Sequence, residues 1–178
     1  MRAFIFDTET TGLVKNSLVP LSSQPRIIEF FGHTVNDETG EVLNEIEFFC
    51  NPGVELEAVI TRITGIKSEE LKDAKPFRAY AAQICEMVAV ADAVVAHNLS
   101  FDMALVEADC ARSGCSPKWP ARLICTVEQT EWIKGHRLSL GNLHEELFGE
   151  PFAGAHRARH DVMALTACYL ELRKRGDL

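Results

Sequence analysis

Four carboxylates and a histidine stand in three short, separated segments of this 178-residue chain. Asp7 and Glu9 lie in Phe-Ile-Phe-Asp-Thr-Glu-Thr-Thr-Gly-Leu (4–13). Asp102 ends Ala-His-Asn-Leu-Ser-Phe-Asp (96–102). His156 and Asp161 bracket His-Arg-Ala-Arg-His-Asp (156–161). Carboxylate oxygens suit hard divalent cations. If the three segments converge in space they form a metal cage, and metal-assisted phosphodiester hydrolysis is the chemistry that uses one.

The spacings add detail. Side chains at i and i+2 of a strand share a face, so Asp7 and Glu9 point the same way. Two such charges repel unless cations lie between them. Gly12, just beyond, lets backbone approach a ligand closely. Asp102 falls about one turn into a helix that follows a buried strand, where open α/β sheets bind ligands beyond the strands' carboxyl ends. An Asp there also satisfies a helix dipole, so this segment alone decides nothing. His156 and Asp161 are five apart, about 140° on a continuous helix, and would not share a face. For both to serve one site, His156 must sit on the loop entering the helix, with Asp161 in its first turns. Gly154 permits that entry. A neutral histidine there suits a general base. His160 is the rival and is expected to pack or face solvent. His33, His97, His136 and His144 read as ordinary histidines, with His97 of interest because it lies in the second segment.

The elements that must position these groups read as an α/β sandwich with a mixed sheet. Residues 3–7, 93–96 and 121–125 are expected to be parallel strands. Residues 26–36 and 41–50 read as an antiparallel hairpin across Asn-Asp-Glu-Thr-Gly (36–40). Residues 14–25 read as a loop. Helical spacing predicts short pieces within 55–71 and helices over 77–90, 101–113 (with Ser100 as N-cap), 126–134, 139–148 (capped by Ser139, closed by Gly149) and about 157–175. With no repeat, linker or low-complexity tract, residues 1–178 are expected to form one domain.

Bulk properties set limits. Net charge is −8, which argues against long basic contacts with a duplex. A site acting on a chain end needs few phosphate contacts, and bound cations would reverse the local field. None of the six cysteines (50, 85, 110, 115, 125, 168) forms a Cys-x-x-Cys pair, so buried free thiols are expected. No apolar run approaches a membrane span, and the N-terminus reads straight into a strand without a leader-like segment, which makes a cytoplasmic location the default expectation.

With these residues in view, the chain resembles the DEDDh branch of the 3′–5′ exonucleases, the group of the epsilon proofreading exonuclease, ribonuclease T and oligoribonuclease. The resemblance rests on Asp7-Thr8-Glu9-Thr10-Thr11-Gly12-Leu13, on His97-Asn98-Leu99-Ser100-Phe101-Asp102, and on His156 with Asp161, and spans about residues 3–172. A tyrosine-branch member would carry Tyr where this chain has Arg157. The resemblance implies a ribonuclease H-like fold with a mixed five-stranded sheet flanked by helices, and two Mg²⁺ or Mn²⁺ ions. It implies that Asp7 bridges both metals, Glu9 and Asp161 complete the water-activating site, and Asp102 serves the other. His156 would take the proton from the attacking water. Backbone at Thr10 and the Leu13 side chain would hold the terminal nucleotide, with His97, Asn98 and Phe101 lining the cleft.

The implied activity is removal of nucleoside 5′-monophosphates from single-stranded 3′ ends, with DNA the expected substrate. An RNA-trimming exoribonuclease is the alternative, followed by a non-catalytic nucleic-acid-binding domain. Two departures stand out. A His-Gly-Ile-Thr-like segment of many members is replaced by Thr64-Gly65-Ile66-Lys67. The chain also stops soon after its third motif, so a polymerase-tethering tail is not expected.

Overall fold

The computed structural model describes residues 1–16 and 18–178. Five strands form one sheet: β1 (Arg2–Thr10), β2 (Ile27–Asn36), β3 (Val42–Phe49), β4 (Ala93–Ala96) and β5 (Arg122–Cys125), in the order β3-β2-β1-β4-β5. β1 pairs antiparallel with β2, and β2 with β3. β1–β4 and β4–β5 are parallel. The helices are α1 (Ala58–Thr64), α2 (Ser68–Leu71), α3 (Ala81–Ala89), α4 (Leu99–Arg112), α5 (Thr126–Gln129), α6 (Leu140–Phe148) and α7 (Ala158–Arg175).

β1 is buried on both faces, which is why its sequence runs apolar rather than alternating. Phe4 and Phe6 point toward α3 and α4 and join Phe30 and Phe48 in a row of stacked rings, with centroids 5.5, 5.7 and 5.3 Å apart. Gly32 makes room for them: a Cβ there would lie 2.9 Å from the Phe4 ring. Ala3 and Ile5 point the other way, onto Val162, Leu165 and Tyr169 of α7. Each large side chain sealed in this way contributes about 1.5–3 kcal/mol. The two layers clamp β1, and so fix the strand that carries the first acidic pair.

The sheet and hairpin agree with the sequence reading, and several boundaries differ. β1 runs to Thr10, so Asp7 and Glu9 lie inside the strand rather than at its end. The 77–90 segment splits into a 3₁₀ turn (Phe77–Ala79) behind Pro76 and then α3. The 126–134 segment splits likewise into α5 and a 3₁₀ turn, Glu131–Ile133, where the Thr130 hydroxyl donates to the Thr126 carbonyl at 2.6 Å. Ser139 caps α6 by accepting from the Asn142 N–H, and Gly149 closes it with φ 81°. Ser100 is not a cap. α4 begins two residues earlier than expected, at Leu99, behind Asn98 in the left-handed region at φ 73°. All six cysteines are free, although Cys85 and Cys115 are only partly buried.

Candidate active site

The site exists because β4 is short. Its pairing with β1 ends at Ile5 opposite Val95, while β1 continues to Thr10. Beyond that point β1 has β2 on one side and an opening on the other. The chain leaving β4 turns into α4, whose first turn brings Asp102 into the opening. There the Thr8 hydroxyl donates to Asp102 Oδ1 at 2.7 Å. Asp7 and Glu9 share the face of Ala3 and Ile5, so they look toward α7. The first turn of α7 supplies Asp161. Carboxylate oxygens of Asp7, Glu9 and Asp161 lie within 4.8 Å of one another, and the charge of Asp102 also bears on Asp7.

Burial and crowding hold these acids far from ordinary behaviour. Burial pushes Asp7 well above the usual carboxylate range, and the charges of Asp102, Glu9 and Asp161 push it further. Glu9 is pushed up to about 8 by burial, then by Asp161, Glu29 and Asp102, with Arg157 opposing. Asp102 is raised by burial to about 7, against the hydrogen bonds from Thr8. Asp161 is also raised by burial, and the His156 N–H opposes the shift. A set of crowded, partly buried oxygen donors that repel one another fits hard divalent cations, which would remove the repulsion by binding between them.

His156 stands on the loop entering α7, with an exposed side chain. Its backbone N–H donates to Asp161 Oδ2 at 3.0 Å. Its φ is 67°, and Asn98 at φ 73° is the other non-glycine residue with positive φ among the described residues. Both belong to the segments that carry the acids. Left-handed backbone at a side-chain-bearing residue costs roughly 1–2 kcal/mol, and such strain collects at functional sites. His160 turns back, its Nδ1 lying 3.1 Å from the Gly154 carbonyl, and so fastens the loop that presents His156.

Thr10, Leu13 and Phe101 line a cavity of about 980 Å³ that opens beside Glu9. Leu13 is 80% exposed, and Val14, Val54, Val59 and Ile63 around the same cavity are also exposed apolar side chains. A group of uncovered apolar residues at one cleft marks a binding surface. Asn98 is exposed at the start of α4. His97 is placed differently from the cleft-lining role the resemblance implies. Its Nδ1 lies 2.9 Å from the Thr126 hydroxyl, and its Nε2–H donates to the Leu138 carbonyl at 3.1 Å. Burial lowers it to about 4, so it is a neutral strut between β4, α5 and the approach to α6. Thr64 likewise serves its own helix end, where its hydroxyl donates to the Ile60 carbonyl and accepts from the Ile66 N–H.

Three contributors went unread in the sequence. Glu29 is 2% exposed and sits opposite Glu9 across β1 and β2. Arg157 and the Ala158 N–H both donate to it. Thr8 orients Asp102. An acid inside Ile-Ile-Glu-Phe-Phe was the available signal for Glu29, since an acid in an apolar strand needs a buried partner.

The exonuclease family model named for ribonuclease T matches residues 4–169. Among relatives, the PolC-type DNA polymerase III of Staphylococcus haemolyticus is 30% identical over 170 residues, covering 94% of this chain and 11% of its own length. That of Staphylococcus aureus matches over the same shares. The chain thus spans about a tenth of these relatives. Among solved structures, the nuclease domain of 3′hExo, described as a DEDDh family member bound to rAMP, superposes with a TM-score of 0.78 at 16% identity, over 98% of this chain and 92% of that one. E. coli exonuclease I in complex with a dT13 oligonucleotide gives 0.76 at 19% identity, over 98% of this chain and 41% of that one.

The fold is therefore ribonuclease H-like, and the sequence match defines an exonuclease domain. The chain belongs to the exonuclease family, whose model covers nearly its whole length.

Proposed function

We propose that the protein removes nucleotides one at a time from the 3′ end of single-stranded nucleic acid, DNA in the first instance, with two Mg²⁺ or Mn²⁺ ions. The observation that carries this reading is the convergence of Asp7, Glu9 and Asp161, with Asp102 beside them, on the rim of a cavity lined by exposed apolar side chains. Asp7, central to the group, would be shared between the metals, with Glu9 and Asp161 on one side and Asp102 on the other. Bound there, the ions would supply charge stabilisation for the attacking and leaving oxygens of an in-line displacement.

The chain's own residues do the rest. Leu13 and Phe101 pack against the terminal base, which any base tolerates. The loop from Gly154 to Arg157 presents His156 at the mouth of the site, where its imidazole accepts a proton from the attacking water. Glu29 and Arg157 hold that loop against the sheet.

The test is digestion of end-labelled linear and circular single strands of DNA and RNA with Mg²⁺, with Mn²⁺ and with excess chelator. A 5′-labelled linear strand should shorten in a ladder, releasing nucleoside 5′-monophosphates, while the circle stays intact. Paired ends should be cut more slowly, because opening a step costs about 1.4 kcal/mol. Efficient cutting of the circle, or full activity in chelator, overturns the reading.

A further inference from the structure

A second cavity, of about 320 Å³, adjoins the first and is walled by Arg26, Arg78, Arg112, Asp109, Asn51 and Phe77 with their neighbours. Arg26 lines both cavities. We propose that Arg26 and Arg78 form an anion subsite for a backbone phosphate of the single strand, upstream of the nucleotide held in the cleft. The proposal rests on the exonuclease reading and extends it to where the rest of the strand goes.

The charge balance supports it. Asp109 is buried, and both its oxygens are engaged: Oδ2 accepts from the Ile27 N–H at 2.8 Å, and Oδ1 from Arg112 at 2.6 Å. Arg112 thereby cancels Asp109. It also donates to the carbonyls of Leu21, Gln24 and Pro25, which fixes the segment between the two cavities, while its Nε is buried with no partner. Arg26 is tied at its backbone to Thr11, donating to the hydroxyl at 3.0 Å and accepting from the N–H at 2.9 Å. Arg26 lines the same cavity as Thr10 and Leu13. Among the described residues, neither Arg26 nor Arg78 has an acidic partner, although most other arginines do. On a chain of net charge −8, two unpaired guanidinium groups at one concavity beside the cleft are a local reversal of field. Their planar forks match the oxygens of a phosphodiester.

The experiment reads binding separately from turnover. Affinity for a fluorescent single-stranded DNA is measured by anisotropy across salt concentrations, with Ca²⁺ present to neutralise the carboxylates. Each phosphate contact to a single strand adds about 0.7 to the salt slope. Arg26→Ala with Arg78→Ala should reduce the slope by about 0.7, the loss of one phosphate contact, and Arg78→Ala alone by part of that. Arg78→Lys, which keeps the charge, should keep the slope. A dinucleotide, too short to reach the subsite, should bind wild type and Arg78→Ala alike. Arg78 is exposed on a 3₁₀ turn, so its variants should fold. An unchanged slope in both alanine variants, or an equal loss of dinucleotide affinity, overturns the subsite. Loss of the ladder with the slopes as expected overturns only the exonuclease reading.

Discussion

Glu29, on β2, takes Arg157, on the loop before α7, through hydrogen bonds of 3.1–3.3 Å, and the two partners are unequally buried. The Glu29 side chain is 2% exposed and the Arg157 side chain 45%. Removing Arg157 strands a carboxylate in the interior, beside Glu9, whereas removing the Glu29 charge leaves an arginine that water can still reach. Breaking a buried pair from its exposed end costs about 3–5 kcal/mol. Arg157→Met should therefore destabilise the protein more than Glu29→Gln. The double variant should recover part of the loss, because it leaves no buried charge. Urea denaturation of the three variants measures this, and equal losses in the two single variants would contradict it.

The same repulsion makes stability depend on pH and metal together. An unfolded carboxyl titrates near 4, while in the folded protein Glu9 titrates at about 8, Asp102 at about 7, and Asp7 and Asp161 are raised. The folded state holds these protons more tightly. The stability they contribute is fully present below the unfolded pKa and is lost as pH rises through the folded values, up to about 8 for Glu9. Divalent cations should offset that loss. The rise in Tm on adding Mg²⁺ should accordingly be larger at high pH than in mild acid. Calorimetry at two pH values checks it, and a larger gain in acid would show that the carboxylates are not the ligands.

Asp7→Asn should separate stability from function. It removes an acid that burial and the other three acids force to take up a proton on folding, so the metal-free variant should melt higher than wild type at neutral pH. Activity should fall by several orders of magnitude, since the shared ligand is lost. Thermal melts in chelator, together with turnover in Mg²⁺, read both effects. A lower apo Tm would mean that Asp7 is held by contacts stronger than the repulsion.

The general base can be assigned by two histidine variants. His156→Ala should keep strand affinity and lose roughly 10²–10⁴-fold in turnover. His160→Ala should stay within a few-fold of wild type, since its ring only fastens the Gly154 carbonyl. The opposite ranking would make His160 the base.

Gly154 should be intolerant for a geometric reason. Its φ is 83°, and a Cβ there would fall 2.1 Å from His160 Nδ1. Gly154→Ala should lower turnover by displacing the His156 loop while leaving the sheet's Tm nearly unchanged. Adding His160→Ala should restore part of the activity, because it removes the clash though not the backbone strain. Stopped-time assays of the single and double variants decide it, and no recovery would assign the loss to backbone strain alone.

Much of this protein is local and so was legible in its sequence. The apolar run of β1, the turn chemistry at 36–40, the Ser139 cap and the acidic segments depend on neighbours a few residues away. The 140° separation of His156 and Asp161 on an ideal helix already required a loop entry. Tertiary structure decided what depends on partners far along the chain. β4 ends opposite Ile5, and that opening lets Asp102 reach Asp7. His97 became a strut because Thr126 and Leu138 meet its two nitrogens. Glu29 found Arg157 across 128 residues, and Arg26 and Arg78 met at one cavity although no basic stripe joins them in sequence. The physical reason is range. Propensity and periodicity act over a helical turn or a strand, whereas the field at a buried charge is set by whichever groups the fold brings within a few ångströms.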